Sequence, residues 1–271
     1  MSITGGGYMG TSRAVLAGVA VCALLSTAAC GKSDSPGAAP AGAGSTAAAA
    51  AGKTSAAPAD ARTELLDATA KTSGTTSSYT TEVISEGDKV SSGTGKIDPA
   101  RHANSSKSEF FGQGAGSMEM VVIGTDLYLK MNMAFAGTAA GSWMHIDGQQ
   151  AGSLTKLGIN ADDPANLSSL PAGLVSVEKT GPGSFKGILD LTRTPAGKAT
   201  MQQLGDAAKQ IDFRATVGDG HLVALMIIVP SAIQMPAYTT TLRYSDFGAP
   251  VTIAAPAGAK PAPPALLEAL K

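Results

Sequence analysis

"DLYLKMNM", residues 126–133, decides how the rest of the chain is read. Leu127, Leu129, Met131 and Met133 fall on one side of an alternation, and Asp126, Tyr128, Lys130 and Asn132 fall on the other. A period of two sends successive side chains to opposite faces of a β-strand, so this strand has one dry face and one wet face. That is the signature of an antiparallel sheet covered on one side only.

The same pattern recurs on both sides of it. Short runs at 79–84, 90–97, 105–111 and 117–123 precede it, and a run at 142–146, with Trp143, follows. Further runs lie at 174–179, 185–191, 211–217, 221–229, 238–244 and 251–254. Gly87-Asp88, Gly124-Thr125, Gly181-Pro182-Gly183 and Asp219-Gly220 supply the turns of hairpins. The 221–229 run is apolar on both sides, so cover is expected on both of its faces. Helical signals interrupt the series. Asp60 caps a helix through 64–71 that Gly74 ends. Leu154 and Leu157 sit three apart; Asp163 then reads as a helix cap with Pro164 at the first helical position and Leu167 and Leu170 three apart behind it, so two short amphipathic helices are expected here. Thr194-Pro195 starts a helix running to about Lys209. A meander of about a dozen strands curls. It closes into a barrel or stays half open with helices filling its hollow, and the leucine-striped helices favour the second. The expected fold is α+β: a curved antiparallel half-barrel with helices on the concave face.

The N-terminus has another character. Residues 14–25 are an apolar run after Arg13, followed by the small residues Ser26-Thr27-Ala28-Ala29 and then Cys30. A helix of that length spans roughly 18 Å, short of a ~30 Å hydrocarbon core, so 1–29 reads as a cleaved lipoprotein signal peptide. Thr27-Ala28-Ala29-Cys30 resembles the lipobox of bacterial lipoproteins, which makes Cys30 the expected lipidation site; the other cysteine, Cys22, lies inside the leader and leaves Cys30 the lone thiol after cleavage. The alternative is a cysteine in a linker after ordinary cleavage. Residues 30–58 are Ala, Gly, Ser, Pro and Thr with little else, a flexible tether, and 59–271 form one domain. The expected location is the extracytoplasmic face of the cell membrane, held there by the lipid anchor.

Composition excludes several functions. Twenty Lys and Arg stand against 21 Asp and Glu with no basic cluster, and aromatics are 4%, so no nucleic acid partner is expected. His102, His145 and His221 are widely separated and hold no metal-ligand spacing. Gly52-Lys53-Thr54 ends like a phosphate loop, but Ala47 stands where the leading glycine is needed. There is no nucleophile elbow, and Asp162-Asp163 is explained by helix capping. No catalytic residue, metal or cofactor is expected.

Flexible apolar bulk is what exceeds expectation. Met118, Met120, Met131, Met133 and Met144 fall within one stretch. Methionine adapts to irregular shapes, which suits either ordinary core filling or a pocket for flexible chains. The expected lipid cavity is lined by Met118, Met120, Leu127, Leu129, Met131 and Met133 on strands. Leu154, Leu157, Leu167 and Leu170 would line it from the inserted helices, with Phe213, Leu225 and Ile227 from later strands.

"VIGTDLYLKM" (122–131), "GSWMHID" (141–147), "GLVSVEKTG" (173–181), "GSFKGILDLT" (183–192) and "TTTLRYSDFGAPVTIAAP" (239–256) together resemble the actinobacterial LppX/LprAFG lipoprotein family. The resemblance covers about 75–256 and the lipidated N-terminus, and the stretch from Tyr244 to Val251 is its most specific part. It implies a LolA/LppX-like half-barrel over an apolar cavity that binds an acylated lipid or lipoglycan and carries it in the cell envelope. A membrane transporter is a candidate partner. An alternative class is a tethered protein–protein interaction module with a solid core, using the polar face around Asp126, Lys130 and Arg214.

Overall fold

The structure is a computed structural model, and it describes residues 60–112, 115–132, 140–148, 163, 166–194, 197–232, 235–264 and 267. Helix α1, Ala61–Ser73, starts where the Asp60 carboxylate accepts from the Arg62 N–H at 3.2 Å. It stops at Gly74, whose N–H returns to the Ala70 carbonyl. The expected cap and stop are both in place.

Six strands follow in sequence: β1 (Ser77–Ser85), β2 (Asp88–Asp98), β3 (Ala103–Phe110), β4 (Gly116–Ile123), β5 (Asp126–Met131) and β6 (Trp143–Asp147). Each pairs antiparallel with the one before it. The chain then carries a 3-10 turn at Leu167–Ser169, helix α2 (Leu170–Gly173), β7 (Leu174–Gly181) and β8 (Ser184–Leu189). After a 3-10 turn at Leu191–Arg193 come helix α3 (Gly197–Leu204) and another 3-10 stretch at Gly205–Lys209. Strands β9 (Ile211–Gly218), β10 (His221–Val229), β11 (Tyr238–Ser245) and β12 (Lys260–Pro261) complete it.

All twelve strands belong to one large open sheet, in the order β12-β6-β5-β4-β3-β2-β1-β11-β10-β9-β8-β7. Every pairing is antiparallel except β12 with β6. Such a sheet with a few helices is consistent with a curved half-barrel. Two meanders build it, and β1 zips onto β11 to join them. Between Gly148 and Leu174 the chain therefore passes from one edge of the sheet to the other.

Several expectations are corrected. The run at 251–254 pairs with nothing; the last strand is the two-residue β12, which the alternation does not announce. Asp163 does cap a turn, with its carboxylate oxygens accepting from Leu167 N at 2.7 Å and Ser168 N at 2.6 Å. The helix expected from there is not formed at its start: Asn166, at φ 53°, cannot itself be part of a right-handed helix, and the 3-10 turn begins at Leu167 and α2 at Leu170. The helix expected to reach Lys209 breaks at Gly205, whose φ is 57°. The turn at Asp219-Gly220 is as expected, both residues having positive φ, as a two-residue hairpin needs. The leucine pair Leu154 and Leu157 lies outside the described residues, as do Met133 and Cys30.

The buried side chains form two separate apolar clusters. The larger packs Leu65 of α1 against Phe185, Ile211, Phe213, Leu222, Leu225, Val229 and neighbours on β7–β11, with Tyr79 and Ile97 from β1 and β2. The smaller comprises Val122, Leu127, Met144 and Ile146 on β4–β6.

Candidate functional site

Register shows how the two clusters lie on one face of the sheet. Tyr244, Tyr79, Gly95, Ser106, Met120, Leu129 and Met144 are successive cross-strand partners from β11 through β1 to β6. The next row runs Leu242, Thr81, Gly93, Ser108, Met118 and Met131. Both rows pass from bulky residues, through a trough of glycine and serine on β2 and β3, to methionine and leucine on β4–β6. Tyr79 lies over the trough's near side, where a Cβ on Gly95 would stand 2.3 Å from its ring.

The residues expected to line a cavity divide between the two walls. Leu167, Leu170, Phe213, Leu225 and Ile227 belong to the larger cluster, which α1 occupies with the fully buried Leu65. Phe213 is itself only 1% exposed. Met120, Leu127, Leu129 and Met131 belong to the smaller cluster. Met118 is half-buried beside them, opposite Met131. Leu127 is buried, whereas Met120, Leu129 and Met131 are half-buried. Among the described residues, the chain segment packed on this second wall is the C-terminal one, through Ala262 and Leu267.

The trough was missed in the sequence. Its signal is glycine at alternate strand positions, Gly93 and Gly95, followed by Ser106 and Ser108 at the same period. Glycine inside a strand marks close approach or open room on that face.

The opposite face is polar. One cross-strand row reads Arg243, Thr80, Thr94, Lys107, Glu119, Lys130 and Trp143. Lys130 bonds Glu119 at 3.0 Å and lies 5.7 Å over the Trp143 ring. His145 meets Asp126 at 2.6 Å and stacks on Tyr128, while His221 stacks on Phe247. A groove of about 360 Å³ opens among Thr80, Glu82, Ser92, Lys107, Thr241 and Arg243. Another of about 490 Å³ lies among Glu178, Lys186, Ile188, Asp212, Arg214 and Ile228. Met226 and Ile228 are half-buried here, so β10 is apolar on this side too, as its sequence suggested. Among the described residues no group of His, Cys, Asp or Glu is arranged to hold a metal. Nor is any helix among them long and apolar enough to cross a membrane.

The sequence matches no known protein family and no curated protein. Among solved structures, a DUF1329 family protein from Desulfovibrio piger is a distant neighbour. It is 11% identical, with 69% of this chain and 90% of that one covered and a TM-score of 0.26. The resemblance to the LppX/LprAFG lipoproteins therefore rests on the quoted residues alone.

Proposed function

We propose that the protein is a lipid carrier of the LppX/LprAFG kind, anchored through a lipidated Cys30 at the extracytoplasmic face of the cell membrane. Its sheet would be a half-barrel with α1 and the shorter helices on the concave face. The observation behind this is the one-sided apolar wall of β4–β6, made of Met118, Met120, Leu127, Leu129, Met131 and Met144, set apart from the core that α1 fills. Acyl chains of a lipid or lipoglycan would leave water for that wall, each CH₂ contributing about 0.8 kcal/mol. A polar head group would stay outside. A membrane transporter would be the partner that loads or unloads it.

Protein purified from its own cells should release lipid on organic extraction and carry it in native mass spectrometry. Leu129→Trp should leave the fold intact and the protein empty. Wild-type protein that carries no lipid would sink the proposal, and so would a loaded Leu129→Trp variant. Anchoring is tested separately: an alkyne fatty acid should label the wild type and leave Cys30→Ala unlabelled.

A second function is supported by the polar grooves, which suit a tethered protein-binding module. In that case charge reversal at Arg214 would abolish partner capture and Leu129→Trp would leave it unchanged.

A further inference from the structure

The C-terminal segment sits on the smaller apolar wall in an unusual way. β12 is two residues long, pairs Lys260 with Met144 and Pro261 with His145, and does so in parallel where the rest of the sheet is antiparallel. Beyond it the Ala262 N–H donates to the His145 carbonyl at 2.8 Å, and the Leu267 N–H to the Pro263 carbonyl at 3.2 Å. Pro261, Pro263 and Pro264 have no N–H to give, so this ladder cannot lengthen along β6. Parallel pairing is also the weaker kind per residue. On the upstream side, residues 251–259 belong to no strand, and Gly258 bends with φ 73°.

Apolar contact, more than backbone bonding, thus holds the segment. Ala262 and Leu267 pack against Val122, Leu127, Met144 and Ile146, the wall that Met120, Leu129 and Met131 extend. These aliphatic groups stand where the alkyl chain of a cargo would stand.

We infer that the segment carrying Lys260–Pro264 and Leu267 is a displaceable strap that occupies the cargo wall when the protein is empty, so that strap and alkyl chain exclude one another. This inference rests on the carrier function proposed above. An uncovered wall of leucine and methionine would invite association with other apolar surfaces. The strap covers it with the chain's own aliphatic groups through an attachment short enough to release. Cargo affinity then equals the affinity of the open wall multiplied by the fraction of molecules with the strap away.

The experiment uses the full chain with Cys22→Ser and Cys30→Ser, so that no native thiol remains. His145→Cys and Pro261→Cys, neighbours in the β6–β12 register, are added to tie the strap by oxidation. Leu267→Asp is the loosened form. The probe is cis-parinaric acid, a fluorescent fatty acid, and circular dichroism checks that each form is folded. Oxidation should weaken probe binding by about tenfold or more and reduction should restore it, while Leu267→Asp should tighten binding by about threefold or more. If the reduced and oxidised forms bind the probe equally well, the strap does not gate the wall and the inference fails, with the carrier function left standing. If no form binds, Leu267→Asp included, the carrier function itself fails and takes the strap with it.

Discussion

Gly187 shows how tightly one residue is specified. It lies on β8 between Val177 of β7 and Phe213 of β9, beside the place where the β7 register shifts. A Cβ there would stand 2.0 Å from the Ser176 carbonyl oxygen and 2.7 Å from the Phe213 ring. Neither can retreat: one is backbone in a ladder and the other is buried in the larger cluster. Gly187→Ala should therefore destabilise by about 3 kcal/mol, at the upper end of ordinary overpacking, read as a fall in the urea midpoint. Asp190 is specified by charge as well as by shape. It begins the 3-10 turn at Leu191–Arg193, and Arg193 Nε stands 2.9 Å from its carboxylate. The Thr192 hydroxyl, more than anything else, holds its carboxyl below the usual carboxylate range; burial opposes this, and the Thr192 N–H and Arg193 add to it. A group whose folded value is depressed stabilises the fold above its ordinary value of about 3.9 and loses that contribution as pH falls through the folded value. Asp190→Asn keeps a capping side chain but makes its hydrogen bonds neutral, and should thus cost about 1 kcal/mol at neutral pH. The gap to wild type should narrow in urea titrations as pH is taken down below the ordinary carboxylate range. A gap that stays constant with pH would remove the carboxylate from the account.

Helix α1 is the element that most fully announces itself in the sequence. Asp60 before it and Gly74 after it mark its ends, and both ends use those residues as caps. What it packs on could not be read in the same way, because strands β7, β9 and β10 come a hundred residues or so later. The docking uses polar detail that no periodicity carries. The β9–β10 register shifts between Leu222 and Ala224, and there the Leu222 N–H donates to the Thr72 hydroxyl at 2.8 Å. Arg62 donates to the Leu174 carbonyl at 3.1 Å, and Lys179 meets Glu64 at 2.6 Å. Thr72 is 3% exposed, so its loss leaves a buried N–H without an acceptor. Thr72→Val should cost about 1–3 kcal/mol in urea unfolding. Thr75→Val, which removes an exposed hydroxyl bonded only to the Lys71 carbonyl, should cost less than about 0.5 kcal/mol. Equal costs would show that the buried hydrogen bond at Thr72 contributes no more than the exposed one at Thr75. β12 is the opposite case. Two residues flanked by prolines have no period, so nothing in "KPAPPALLEAL" announces a strand.

Alternation in 126–131 correctly separates the two faces of β5, but a face is not a neighbourhood. The candidate wall residues were legible as dry. Their division into two clusters was not, because it follows from β1 pairing with β11 across most of the domain's length. That pairing puts the glycine and serine of β2 and β3 between the clusters. One buried row, Ile97, Asn104, Val122, Leu127 and Ile146, joins the wings at one end, and along the glycine and serine rows the coupling runs through backbone ladders. Mutations in separate, non-touching groups add, and proteins open in contiguous units of unequal stability. The α1 wing holds the larger cluster and should be the last to open; β4–β6, with four buried side chains, should open first. Native-state hydrogen exchange tests this. In wild type, amides of β4–β6 should exchange through an opening smaller than global unfolding, while β8–β11 exchange only with the whole molecule. Leu127→Ala removes a side chain that is 2% exposed and should lower protection in β4–β6 by about 2–4 kcal/mol. Where exchange on β8–β11 occurs by global unfolding, the same loss will appear there only as far as both wings unfold together. Leu65→Ala, in α1, gives the reverse test: it should lower protection on β8–β11 by a similar amount and leave the smaller opening of β4–β6 unchanged. If Leu65→Ala lowers protection equally on both wings, the sheet opens as one body and the trough is no boundary. If only its own wing responds, the wall of β4–β6 can loosen without unfolding the domain, which is what admitting an alkyl chain beneath a C-terminal strap requires.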